Sequence, residues 1–139
     1  MIDKLPPDRR SENMRKIKSK GMQPEMRVRS LVHGMGFRFR LHRKDLPGKP
    51  DLVFPSRKKI IFVHGCFWHQ HPSSACKIVR QPKSNLDYWR PKLDGNIQRD
   101  KDHGKKLNDL GWSVLVVWEC ETVDLVRLQR KIKQFLVKS

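Results

Sequence analysis

The run Ile60-Ile61-Phe62-Val63-His64-Gly65-Cys66-Phe67-Trp68-His69-Gln70-His71 concentrates reactive side chains at the end of an apolar stretch. Imidazole and thiolate groups bind metals and move protons, and large aromatics stack on bases. Just upstream, Pro50-Asp51-Leu52-Val53-Phe54 is a second apolar run, led by a carboxylate. A carboxylate at one strand and histidines at the end of the next form a layout suited to metal-dependent phosphodiester chemistry.

Four residues separate Cys66 from His71, and four separate His71 from Cys76; Cys120 follows a later apolar run. If two strands end at the same sheet edge, these side chains meet as a Cys3His set. Such a set is closed and tetrahedral, so a zinc ion there is structural. The alternative is three unrelated buried cysteines. Asp51 reads either as a loop-capping aspartate or as a ligand for Mg²⁺, which takes one or two carboxylates plus phosphate and water oxygens. His69 is a general-base candidate or a surface histidine, and His64 is placed to contact a phosphate. Glu25 either serves a helix dipole or assists at the metal. Phe67, Trp68 and Trp89 either stack on bases or cover the zinc loop, whereas Trp112 and Trp118 bracket a core strand.

The elements that must position these groups are legible from periodicity. Ser11 caps an expected helix to about Lys20, with Met14 and Ile17 on one face. Pro24 opens a second helix that ends near Gly34–Gly36. Residues 38–42 alternate like a half-exposed strand, and residues 51–55 and 59–64 read as buried strands joined by a short turn. Residues 65–84 read as irregular, needing something to hold them. A long polar helix is expected over about Asp87–Leu110, with an interruption at Pro91 or Gly95. Residues 112–118 form the clearest strand, and 122–137 have helical spacing. The pattern predicts an α/β fold: a mobile segment 1–10, then one domain over 11–139 with a small mixed sheet flanked by helices.

The chain has 139 residues, with 31 Lys and Arg against 14 acidic residues, a formal charge of +17. That excess favours a polyanionic partner, of which nucleic acid is the commonest. With 37% apolar residues and four tryptophans, the whole is not a disordered tail. No apolar stretch of roughly 20 residues is present, so no membrane span is expected. No signal-peptide pattern leads the chain. A cytoplasmic setting is therefore expected, and it disfavours disulfides among the cysteines.

These motifs have a counterpart. The chain resembles the very-short-patch-repair DNA mismatch endonucleases from about Arg9 to the C-terminal helix. The resemblance rests on Arg10-Ser11-Glu12-Asn13-Met14-Arg15, on Leu46-Pro47-Gly48-Lys49-Pro50-Asp51, on Val63-His64-Gly65-Cys66-Phe67-Trp68-His69, and on Gly111-Trp112 with Val116-Val117-Trp118-Glu119-Cys120. It implies a restriction-endonuclease-like core that nicks one strand beside the T of a T·G mismatch in duplex DNA. By resemblance, Asp51 and the Val63 carbonyl hold Mg²⁺; Val63 stands where Thr is expected in the family's best-known member, a change that a carbonyl ligand tolerates. His69 is then the base, assisted by Glu25 and His64. Phe67, Trp68 and Trp89 form a wedge, Met14 and Ile17 enter the minor groove, and Lys92 and Asn96 read the mispair. Zinc falls to Cys66, His71, Cys76 and Cys120. A monomer is expected, on the nucleoid, with mismatch-repair proteins as implied partners. The competing expectations are a non-catalytic zinc-stabilised nucleic-acid-binding protein and an endonuclease acting on matched duplex.

Overall fold

The computed structural model describes residues 23–41, 43–73, 76 and 82–138. The segment 1–10 and the helix expected from Ser11 to Lys20, with Met14 and Ile17, lie outside them.

Helix α1 spans Pro24–Gly34. Pro24 suits its first position, where the missing N–H has no intrahelical partner to lose. Strands β1 (Leu52–Phe54) and β2 (Lys59–His64) follow, joined by a 3-10 turn over Pro55–Arg57. Helix α2 (Leu86–Asp109) crosses to strand β3 (Ser113–Trp118). A 3-10 turn over Glu119–Val123 leads into helix α3 (Leu125–Val137), which Asp124 caps by accepting the Arg127 N–H at 3.2 Å.

The sheet is mixed and three-stranded, in the order β1-β2-β3. β1 pairs antiparallel with β2 (Leu52 opposite Ile61), and β2 pairs parallel with β3 from Lys59–Ser113 to His64–Trp118. Side chains on a strand alternate between faces, and helices cover both. Leu52, Phe54, Ile61 and Val117 pack with Val28 and Val32 of α1 and with Leu128, Ile132 and Leu136 of α3. Val53, Ile60 and Phe62 pack on the other face with Leu107 of α2 and Trp112. Ile61 is fully buried at the centre of the sheet; truncating such a residue to alanine costs about 2–5 kcal/mol. No helix among the described residues is long and apolar enough to cross a membrane.

Three local expectations change. Among the described residues, the strand expected at 38–42 is reduced to one bridge, in which Arg40 and Val53 exchange backbone hydrogen bonds of 2.8 and 3.0 Å. β1 is flanked by Pro50 and Pro55, which lack the donors to extend a ladder. α2 runs through Pro91 without interruption; Pro91 and Asp87 lie on its exposed face, where the carbonyl that Pro91 cannot pair is open to solvent. The C-terminal helix starts at Leu125, after the 3-10 turn, rather than at residue 122.

α2 ends in a two-bond lock. Gly111, at φ 92, sends its N–H to Asn108 O, and Trp112 sends its N–H to Leu107 O, both at 3.0 Å. Only glycine adopts that left-handed conformation without strain. The lock aims β3 back along β2.

Candidate active site and metal centre

Parallel pairing brings the C-terminal ends of β2 and β3 to one edge of the sheet, and the reactive residues gather there. His64 is the last residue of β2 and Trp118 the last of β3, directly opposite each other. The chain then turns over residues 65–70, held by His69 N–H to Gly65 O at 3.1 Å and His71 N–H to Cys66 O at 2.9 Å.

That turn puts Cys66, His71, Cys76 and Cys120 together, with one ligand atom from each within 4.8 Å of all the others. His71 Nδ1 is 3.7 Å from Cys66 Sγ and 3.5 Å from Cys120 Sγ. A tetrahedron with metal–ligand arms of about 2.0–2.3 Å has edges of roughly 3.3–3.8 Å, so the donor set fits a tetrahedral ion. Its surroundings are fixed. Glu119 Oε1 accepts the Cys66 N–H at 3.2 Å, and the Cys120 N–H reaches Cys66 Sγ at 3.4 Å. The His71 ring stacks on Trp118 at 4.2 Å. The Thr122 hydroxyl donates to Glu119 O at 2.7 Å and accepts from Arg27 Nη1 at 3.1 Å, anchoring the turn that carries Cys120 to α1. Burial pushes the Cys66 thiol up to about 12; a bound cation reverses this by favouring thiolate.

Between Cys66 and His71, the same turn presents His69. Its Nδ1 lies 2.6 Å from Asp100 Oδ2, on α2. The His69 ring stacks on His64 with centroids 3.9 Å apart and planes 6° from parallel. His64 Nδ1 is 3.9 Å from the same Asp100 oxygen and has no hydrogen-bond partner among the described residues. Burial, reinforced by the charge of His69 and opposed by Asp100, lowers His64 to about 4. His64 is therefore neutral near pH 7.

Asp51 closes the other side. Its Oδ2 accepts the Val63 N–H at 2.6 Å, tying the head of β1 to the end of β2. Burial and then hydrogen bonding to Glu25 raise Asp51 to about 7, against the Val63 hydrogen bond and the charge of Arg29. Glu25 is itself paired with Arg29, Oε2 to Nη2 at 3.1 Å. Two carboxyl groups forced together in a half-buried place are the hard-oxygen donor set that a divalent cation relieves. Asp51, Val63, His64, His69 and Asp100 line one cavity of about 700 Å³. Lys49, Arg99 and Lys101 add positive charge to its walls.

Phe67, Trp68 and Trp89 pack edge-on or tilted, with centroids 5.3–5.7 Å apart. Trp68 remains 46% exposed. Lys92 Nζ lies 5.7 Å from the Trp68 centroid, and Asn96 Nδ2 donates to Trp68 O at 3.0 Å. The structure thus brings Lys92 and Asn96 to the aromatic group and leaves Met14 and Ile17 outside the described residues.

Sequence reasoning missed two participants. Asp100 sits among Arg99, Lys101 and Asp102, with nothing in its spacing to separate it from a solvated face. Tyr88 stacks edge-on with Trp89 at 5.0 Å and is 59% exposed; its position beside Trp89 was the available signal.

Comparison with known proteins bears on this arrangement. Residues 2–75 match the family model described as DNA mismatch endonuclease Vsr. A type II nicking enzyme of Xanthomonas oryzae pv. oryzae, V.XorIIP, is 52% identical over 136 residues, covering 98% of each chain. V.NmeAIP, a type II nicking enzyme of Neisseria meningitidis, is 41% identical over 140 residues, covering 96% of this chain and 98% of its own. The DNA mismatch endonuclease Vsr of Escherichia coli K12 is 41% identical over 111 residues, covering 80% of this chain and 69% of that protein. It follows that the chain belongs to the family of the DNA mismatch endonuclease Vsr and is a DNA endonuclease.

Proposed function

We propose that this endonuclease nicks one strand of duplex DNA beside the T of a T·G mismatch, the lesion left by deamination of 5-methylcytosine. The observation that carries the reading is the meeting of Asp51, His69 and Asp100 in one cavity beside a half-exposed aromatic cluster.

His69 is the general base. Asp100 accepts its Nδ1–H, which leaves the Nε2 lone pair to take a proton from water. Asp100 also stabilises the imidazolium that forms, as a carboxylate does in any His–Asp pair. Neutral His64, stacked on His69, restricts the ring to one plane. Asp51 and the Val63 carbonyl, with Glu25 beside them, are the residues that would hold Mg²⁺. Bound there, the ion would stabilise charge on the phosphate and acidify the attacking water.

Phe67, Trp68 and Trp89 select the lesion. Wedging between bases costs a few kcal/mol per step, and less at a mispair, so insertion converts weak pairing into preference. Lys92 and Asn96, set beside Trp68, are placed to contact the displaced pair. In the same reading the sheet is a restriction-endonuclease-like core, and zinc in the Cys66–His71–Cys76–Cys120 cluster holds the turn that presents His69. The enzyme works as a monomer.

Single-turnover nicking of T·G and matched T·A duplexes, with and without Mg²⁺, tests this. The expected result is Mg²⁺-dependent cutting of one strand of the T·G duplex alone. A second reading is nicking of ordinary duplex at a short site; the type II nicking enzymes among the relatives fit either reading. Equal cutting of both duplexes would establish the second.

A further inference from the structure

Asp51 also lines a second and smaller pocket of about 130 Å³, to whose walls His69 does not contribute. Its walls are Glu25, Arg29, Arg43, Lys44, Lys49, Pro50 and Asp51. The two cavities have only Lys49 and Asp51 in common. Lys49 holds the left-handed backbone conformation, at φ 50. A non-glycine residue there carries strain, which persists only where the surroundings enforce it. The loop Leu46–Pro50 thus sets a lysine on the partition between the two spaces.

The cations of the small pocket are unequally committed. Arg43 is forked onto Asp45 with two bonds of 2.8 Å. Arg29 gives one nitrogen to Glu25, yet its buried Nε has no partner among the described residues. Lys44 and Lys49 are exposed, and their ammonium groups have no partner among the described residues. With Arg43 held by Asp45, Arg29, Lys44 and Lys49 still outnumber the Glu25 and Asp51 carboxyls, and a buried donor lacks an acceptor. A pocket of this size and sign suits a small oxyanion, which arginine and lysine satisfy together. An apolar group there would leave its donors unpaired.

We propose that this pocket seats a non-scissile phosphodiester of the nicked strand, next to the phosphate that is cut. The inference rests on the reading above, in which the scissile phosphate lies at Asp51 in the large cavity. A strand crossing Asp51 carries its next phosphate over the Lys49 partition, into reach of Lys44, Arg29 and Arg43. Lys44 then fixes the register of the strand, so that the cut falls at one bond. Phosphate contacts position a protein on DNA without reading sequence.

The test couples a protein change to a DNA change. A neutral methylphosphonate is placed in turn at each phosphate flanking the nick, and affinity is measured without divalent cation for the native protein, Lys44→Ala and Lys44→Arg. Lys44→Ala should bind about tenfold more weakly, as expected for loss of one charge-assisted bond. The loss should be equal for T·G and T·A duplexes, with a log–log salt slope about one unit shallower. At one flanking position the methylphosphonate should weaken the native protein and Lys44→Arg but leave Lys44→Ala unchanged. Effects that multiply at every position would overturn the proposal, because independent sites add in free energy. Lys44 is exposed, so unchanged melting of Lys44→Ala is expected and guards against misfolding. Failure of the native protein to nick the unmodified T·G duplex would instead sink the proposed function, and the binding measurement is independent of it.

Discussion

His69 Nδ1 and Asp100 Oδ2 are 2.6 Å apart, although 31 positions of chain separate the two residues. One is on the turn after β2 and the other on α2, so the pair exists only when α2 lies over the sheet. If the pair acts as a unit, Asp100→Asn should lose roughly 10²–10⁴-fold in single-turnover nicking, as should His69→Ala. The double variant should be little worse than either single one. Multiplicative losses would show that Asp100 acts apart from His69. DNA affinity should stay within a few-fold in all three.

Asp51 gives a pH signature. Its carboxyl is raised to about 7 by burial and by Glu25. A carboxyl whose folded value lies above its unfolded one destabilises the fold when ionised. In the metal-free protein that penalty is complete above about pH 7. It is relieved as pH falls from there toward the ordinary carboxylate value near 4. Asp51→Asn should therefore raise the metal-free melting temperature at pH 8 by a few degrees, vanish as a difference near pH 4, and abolish nicking. Divalent-cation affinity, read by calorimetry, should fall as pH drops below about 7, by up to about tenfold per unit. A pH-independent affinity between pH 5 and 8 would remove Asp51 from the cation site.

The thiol cluster is testable without DNA. Protein purified without added metal should carry about one zinc per chain by elemental analysis. Structural zinc supplies about 10–16 kcal/mol in small sites, comparable to the whole stability of a domain. Chelation or Cys120→Ala should therefore lower the melting temperature steeply. Zinc-free protein with native stability would refute the assignment.

Trp68 separates recognition from folding. Because its ring is 46% exposed, Trp68→Ala should change the melting temperature little while reducing the T·G preference over T·A. A lower melting temperature with equal losses on both duplexes would make Trp68 a cover for the turn instead of a wedge.

The fold was readable where burial leaves a periodic trace. β2 and β3 are apolar runs of the right length, and α3 repeats Leu128, Ile132 and Leu136 on one face. Cys66, His71 and Cys76 were visible because thiols and imidazoles at even spacing are rare by chance. Asp100 was not, since a carboxylate on a charged helix looks the same whether it faces water or a histidine. The Arg40–Val53 bridge shows the converse, an alternating pattern with too short a partner strand to extend it. The small pocket escaped for a third reason: Arg29 is on α1 and Lys44 is in the loop before β1, and only packing makes them neighbours.

The parallel pairing of β2 with β3 also has a consequence in time. Cys66 must wait for Cys120, 54 positions later, and loop closure over such a span comes after local structure has formed. During synthesis, a chain that has emerged only through α2 holds Asp51, His64, His69 and Asp100 but lacks β3 and the last thiol. The turn bearing His69 then has its own hydrogen bonds and Asp100, but not the Cys120 and Trp118 contacts that fix Cys66 and His71. The reactive turn therefore takes its final setting only once β3 has paired with β2, which makes the site a product of the non-local, slower part of folding.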